Sequence, residues 1–137
     1  MKEKDNFPVS TIKICTDELN GTDRSGRAYC RLFEECIYFR DQAELLLKAD
    51  KLFDEAGYPQ AYYRSRSFGR ARPRETIYIP RLYFDEAYLK QQEGKVATEY
   101  VIVLSRRQSG WQGTYIDSRG RPSDFISEIE LLKCMSS

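Results

Sequence analysis

Five closely spaced arginines are the residues of this 137-residue sequence whose type and spacing most clearly indicate a binding function. They lie in residues 62–75, the arginine-rich segment, where no acidic side chain occurs before Glu75. Gly69 and Pro73 favour a loop or arm. Arginine forks bind phosphate oxygens in pairs, and aromatic rings stack on any base, so the segment predicts contact with nucleic acid or a nucleoprotein complex. The residues predicted to bind are Arg64, Arg66, Arg70, Arg72, Arg74, Tyr62, Tyr63 and Phe68.

The same segment permits two other interpretations. It could be a solvated connection whose arginines pair with Glu75, Asp85 and Glu86. It could also bind a protein, because arginine and tyrosine dominate binding hot spots. In that case the protein would be a regulator or inhibitor of host machinery, similar in role to the anti-CRISPR proteins of mobile elements.

Little else in the sequence points to catalysis. There is no histidine, which removes Ser-His and Cys-His nucleophile pairs and the commonest metal ligand. The four cysteines, Cys15, Cys30, Cys36 and Cys134, match no zinc knuckle and are interpreted as buried free thiols. We expect a protein that is not an enzyme and has no metal or cofactor.

A metal-dependent hydrolase is the weakest hypothesis. The candidate metal ligands are the clustered carboxylates of residues 10–58, namely Asp17, Asp23, Glu34 and Glu35. Two-metal chemistry needs acids that converge from defined strand positions, whereas three of these four fall in predicted turns. Cys36 is the least implausible thiol nucleophile, but an adjacent carboxylate such as Glu35 would raise its pKa instead of activating it.

Charge and hydropathy favour a cytoplasmic protein. The formal net charge is +1, so no global field draws the chain to nucleic acid or an anionic membrane, and any such binding must be local. The sequence begins "MKEKDNFPVS", which lacks the apolar run of a signal peptide, and no stretch has the length of a membrane span.

A pattern that occurs twice predicts the fold. Residues 25–48 and residues 106–133 match at an offset of 86, which aligns Tyr29 with Tyr115 and Phe39 with Phe125. The same offset relates two capping boxes, one formed by Asp41 and Glu44 and the other by Ser127 and Glu130. We therefore predict an internal duplication.

Each copy has alternating apolar residues, a turn and then a helical pattern. In the first copy "NGTDRSG" is the predicted turn, and the helix runs from about Asp41 to Ala56 and stops at Gly57. In the second copy "TEYVIVLSRRQ" and "WQGTYID" are strands, with Trp111 in the core. Phe125, Ile129 and Leu132 are predicted to share the buried face of the last helix.

The predicted architecture is one α+β domain with two layers, an antiparallel sheet and helices on one face. Residues 10–58 and 96–135 form the two β-β-α units, and residues 59–95 form an insertion. Within the insertion "ETIYIP" predicts an edge strand, and "DEAYLKQQEG" predicts a short helix from Asp85 to Gly94. Tyr78, Tyr83, Phe84 and Tyr88 are expected to pack the insertion onto the core.

Several of these stretches together resemble an uncharacterised family of small proteins from clostridia and related Firmicutes. They are "GRAYCRL", "FRDQAELLLKADKLFDEAGYPQA", "RSF", "RRQSGWQG" and "FISEIELL", within residues 10–68 and 97–135. The resemblance implies bacterial origin and a compact intracellular domain. No activity is established for that family, so the resemblance implies no site residues.

Overall fold

The computed structural model describes residues 7–57, 61–62, 81–107 and 110–136. Within these ranges, seven strands form one sheet and three helices pack on it. The strands are β1 (Thr11–Asn20), β2 (Asp23–Tyr29), β3 (Ile37–Phe39), β4 (Ala61–Tyr62), β5 (Ala97–Arg107), β6 (Gly110–Ile116) and β7 (Pro122–Phe125). The helices are α1 (Gln42–Ala56), α2 (Glu86–Gln91) and α3 (Glu128–Ser136).

Six of these strands follow the order β3-β2-β1-β5-β6-β7, and every neighbouring pair in that order is antiparallel. The short strand β4 pairs with β5 in parallel. The order is symmetric about the central β1–β5 pair, with three strands and one long helix from each half of the chain. The predicted α+β class is confirmed.

Helices α1 and α3 share one face of the sheet, which we call the core face. Leu45 and Phe53 of α1 join Leu131 of α3, Val101 and Trp111 in a single buried cluster. The prediction that the helices of the two units lie on one face is confirmed. The insertion helix α2, for which no face was predicted, lies on the opposite face and contacts Lys13 and Tyr29 there. No helix in the described ranges is long and apolar enough to cross a membrane.

The two capping boxes are confirmed, with the same geometry in both halves. Asp41 accepts a hydrogen bond from Glu44 N at 2.8 Å, and Ser127 Oγ accepts one from Glu130 N at 3.1 Å. The glutamates reach one residue further back than a standard box, to the N–H groups of Arg40 and Ile126. These bonds fix where each helix begins.

Three local predictions are wrong. The "NGTDRSG" turn is shorter than predicted, because Gly21 adopts φ 67° and permits a two-residue hairpin, so that Arg24 belongs to β2. Ile129 is 67% exposed, and α3 buries Leu131 and Met135 instead. Helix α2 has its C-cap at Gln92, before Gly94.

The strands and helices of the two halves do not repeat at a single offset. Gly26 lies opposite a bulge in β1, where a Cβ atom would stand 2.1 Å from Cys15 O. Gly113 lies opposite a bulge in β5, where a Cβ atom would stand 1.8 Å from Ile102 O. These two glycines are 87 residues apart. Gly26 pairs with Phe39 and Gly113 pairs with Phe125, but the two phenylalanines are only 86 residues apart.

The one-residue difference reverses a predicted match. A shift of one residue moves a side chain to the other face of a sheet. Tyr115 lies in the cluster on the core face, whereas Tyr29 contacts Phe84 on the opposite face. The match of Tyr29 with Tyr115 is therefore not structural, and the internal duplication stays a prediction.

Candidate functional site

The structure describes only the borders of the predicted binding segment. Tyr62 is described through its backbone, in β4. The other predicted binding residues, Arg64, Arg66, Arg70, Arg72, Arg74, Tyr63 and Phe68, lie outside the described residues, as do Tyr78 and the predicted strand "ETIYIP".

The chain enters the arginine-rich segment from the far end of β5. Helix α1 ends at Gly57, whose φ of 72° and N–H bond to Phe53 O close the last turn. Ala61 and Tyr62 then pair with Arg106 and Arg107 of β5. Because β6 occupies the other side of β5, β4 lies on the β1 side, beyond the first residue of β1.

The chain returns to the described fold beside the end of β2. Tyr83 N donates to Arg31 O at 2.8 Å, and Arg31 Nε donates to Phe84 O at 2.9 Å. Strand β2 runs antiparallel to β1, so its end is next to the start of β1. The stretch between β4 and Tyr83, which contains the arginine-rich segment, is therefore held at both ends at the same end of the sheet.

Aromatic side chains fix the returning segment on the face opposite α1, which we call the open face. The rings of Phe84 and Tyr88 stack with centroids 5.1 Å apart, and both make T-shaped contacts with the Tyr29 ring. The prediction that Phe84 and Tyr88 pack the insertion onto the sheet is confirmed. Tyr83 is 41% exposed. The Arg81 guanidinium lies over the Tyr83 ring, 5.2 Å from the ring centroid.

An ion pair holds the chain that follows α2. Arg27 Nε donates to Asp17 at 3.1 Å, and Arg27 Nη2 donates to Glu93 O at 2.8 Å. The hydrogen bond from Arg27 lowers the pKa of Asp17 below its ordinary value of 3.8, and the Lys95 N–H acts in the same direction. The open face is thus tied to the insertion by charge as well as by aromatic packing.

Asp17→Asn is expected to reduce the free energy of unfolding by about 1 kcal/mol at neutral pH. Since the folded pKa of Asp17 is below 3.8, its contribution is complete above that pH and is lost as the pH falls further. Urea unfolding of both proteins near pH 7 and near pH 2 measures this. An equal difference at both pH values would contradict the ionic contact, and Glu18→Gln is the exposed control.

A second polar contact, which the sequence did not predict, lies on the core face. Arg106 is 3% exposed and donates to Asp54 Oδ1 at 2.7 Å, and its guanidinium lies 5.6 Å from the Phe53 ring centroid. Trp111 is fully buried, as predicted, and its Nε1 donates to Asp50 at 2.9 Å. Asp50 and Asp54 lie one helical turn apart on α1, a spacing that places both on one face of the helix. Their partners Trp111 and Arg106 lie more than 50 residues away in the sequence, so the pairing could not be predicted.

A buried ion pair between β2 and β5 was also missed. Arg24 Nη1 donates to Glu99, and Arg24 Nη2 donates to the carbonyl oxygen of Met135 at the end of α3. Their side chains are only 9% and 7% exposed. Burial raises the pKa of the neighbouring Tyr115, and the charge of Glu99 adds to that shift. This cluster joins both halves of the chain and has a structural role.

The carboxylates proposed for a hydrolase do not converge. Asp17 pairs with Arg27, while Asp23 accepts from the N–H groups of Arg24 and Gln42. Glu34 and Glu35 line a separate cavity of about 620 Å³. Within the described part of the chain, no three Asp, Glu, Cys or His side chains are grouped so as to hold a metal ion.

All four cysteines are free thiols. Cys15 and Cys30 are buried, as predicted, and burial raises the pKa of Cys30 to about 12. Cys36 and Cys134 are only half-buried, contrary to the prediction. Buried thiols with raised pKa values are protonated at neutral pH and are poor nucleophiles.

Comparison with known proteins adds no relative. No protein-family model matches the chain, and neither curated proteins nor solved structures gave a match. The resemblance to the clostridial family stays a prediction.

Proposed function

We propose that this is a cytoplasmic, non-catalytic protein that binds nucleic acid or a nucleoprotein complex through the arginine-rich segment. Five arginines would contact phosphates, and the aromatic residues would offer stacking surfaces. The fold would act as the platform that presents the segment.

The distribution of charge carries this proposal. The arginine-rich segment holds five arginines and one glutamate, a net charge of +4. The remaining 17 basic and 20 acidic residues give the rest of the chain a net charge of −3. The positive charge is therefore local, which favours contact with a polyanion at one place and disfavours nonspecific attraction over the whole surface.

The borders of the segment support the same role. Backbone pairing of β4 with β5 and the bond from Tyr83 N to Arg31 O bring both ends of the stretch between β4 and Tyr83 to one end of the sheet. A segment tethered at both ends loses less conformational entropy on binding than a free tail does, because its reach is already restricted. The arginines would therefore act as a group against one ligand surface.

The test is fluorescence anisotropy with labelled duplex DNA, single-stranded DNA and structured RNA. Wild-type protein is compared with a variant in which all five arginines of the segment are replaced by alanine. We expect the wild type to bind at least one of these ligands at low salt, and the variant to lose at least about 100-fold in affinity, because five phosphate contacts are removed.

Two controls sharpen the result. Replacing the same five arginines by lysine keeps the charge and removes the planar forks, so it should retain the salt-dependent part of the affinity. Replacing the exposed Arg40, Arg119 and Arg121 by alanine removes positive charge elsewhere and should have little effect. Absence of binding at low salt would overturn the proposal and leave a protein-binding regulator as the hypothesis, to be tested by co-purification with and without nuclease.

A further inference from the structure

A cavity of about 420 Å³ opens on the open face of the sheet, within the size range of small-molecule sites. Thr11 and Lys13 of β1 and Tyr100 of β5 form its floor. Helix α2 lines the cavity through Leu89, and Phe7 from the start of the described chain lines it as well. The cavity is therefore built from residues that are distant in the sequence.

The floor holds a buried cation. Lys13 is 7% exposed, and its Nζ donates to Leu89 O at 2.6 Å and lies 5.9 Å from the Tyr100 ring centroid. No carboxylate of the described chain forms an ion pair with it. Desolvation lowers the pKa of Lys13, although the charge of Glu93 acts in the opposite direction. A buried ammonium without a counter-ion is costly, and an anion in the cavity would relieve that cost.

A second polar group lies beside the ammonium. Thr11 is 9% exposed, and its Oγ1 is buried without a hydrogen-bond partner among the described residues. Because alternate strand residues face the same way, Thr11 and Lys13 both belong to the open face. Buried hydroxyls without partners are uncommon in proteins, and a ligand oxygen would satisfy this one.

The rest of the lining is largely apolar and aromatic. Phe7 and Tyr100 contact each other with ring centroids 4.7 Å apart, and Ile116 continues the floor. Arg31, Glu86 and Lys90 also line the cavity. Arg31 Nη1 lies 3.7 Å from Glu86 Oε2, and Lys90 adds a further positive charge. The cavity thus combines ring-packing walls with an excess of positive charge.

We propose that this cavity binds a small aromatic anion. The ring of the ligand packs against Tyr100 and Ile116, and its carboxylate or sulfonate accepts hydrogen bonds from the Lys13 ammonium and the Thr11 hydroxyl. None of the described lining residues belongs to the arginine-rich segment, so either proposal can fail without the other.

The test uses two fluorescent probes of similar shape. Anilinonaphthalene sulfonate carries a negative charge, and N-phenylnaphthylamine is neutral. We expect the sulfonate to bind one site at least about tenfold more tightly than the neutral probe. Lys13→Met should remove about tenfold or more of the sulfonate affinity and leave the neutral probe within about threefold, since the loss is that of one charged hydrogen bond.

Other variants locate the site and guard against misfolding. Ile116→Phe should weaken both probes by filling the cavity. Thr11→Val, which keeps the shape of the side chain, should weaken only the sulfonate and carries the test if Lys13→Met does not fold. Lys51→Met is the matched control, because Lys51 lines the 620 Å³ cavity beside α1. Equal affinity for the two probes, or a loss of sulfonate binding in Lys51→Met alone, would overturn the proposal.

Discussion

Glu99→Gln is expected to lower the free energy of unfolding by about 3–5 kcal/mol. The substitution keeps the size of the side chain but leaves the Arg24 guanidinium buried without its counter-ion. Arg24 Nε has no hydrogen-bond partner among the described residues. It therefore makes no second contact that could compensate for the lost negative charge. Urea unfolding followed by circular dichroism measures the change.

Two comparisons test the cause of this loss. Replacing Arg24 by methionine together with Glu99→Leu should recover most of the lost stability, because an apolar pair needs no desolvation of charge. Glu86→Gln removes the Arg31–Glu86 contact, in which Glu86 is 64% exposed, and should cost less than about 1 kcal/mol. Similar losses for Glu99→Gln and Glu86→Gln would show that burial does not determine the contribution of the ion pair.

Trp111→Ala is expected to lower the free energy of unfolding by about 3–5 kcal/mol, the usual cost of deleting a large buried aromatic side chain. Trp111 is fully buried, and its ring meets the Phe53 ring edge to face, with centroids 5.6 Å apart. Because it is the sole tryptophan, unfolding must be followed by circular dichroism and not by tryptophan emission.

Trp111→Phe separates packing from hydrogen bonding at the same position. It keeps an aromatic ring against Phe53 and removes the Nε1 bond to Asp50, so it should retain more than half of the stability that Trp111→Ala loses. If both variants were within about 1 kcal/mol of the wild type, the position of Trp111 at the centre of the core would be contradicted.

Short-range sequence signals correctly predicted where α1 and α3 begin and where α1 ends. Asp41 and Ser127 cap the helices as predicted because capping depends on residues only three positions apart. Gly57 ends α1 for the same reason, since only the local backbone decides the αL turn. The strand predicted at residues 98–108 agrees with β5 over residues 98–107.

Contacts between distant residues could not be predicted in the same way. Arg24 and Glu99 are 75 positions apart, and the predicted turn placed Arg24 outside a strand. Ile129 fits the helical spacing of a buried face. The side of α3 that packs on the sheet instead buries Leu131 and Met135. The position of α2 on the open face depends on aromatic contacts with Tyr29. The spacing of apolar residues in the sequence does not predict these contacts.

The candidate sites differ in the same respect. The arginine-rich segment is conspicuous in the sequence because its charge is concentrated in a few neighbouring residues. The cavity around Lys13 is not, because Phe7, Lys13 and Leu89 come together only in the folded chain. A lysine in a strand of alternating pattern would ordinarily be assigned to solvent.

The most direct test of the proposed function is the salt dependence of nucleic-acid affinity. If five arginines each neutralise one phosphate of duplex DNA, the logarithm of the association constant should fall against the logarithm of salt concentration with a slope of about −4 to −5. The five-alanine variant should show a slope near zero. A wild-type slope near zero, or the same steep slope in both proteins, would contradict binding through the arginine-rich segment.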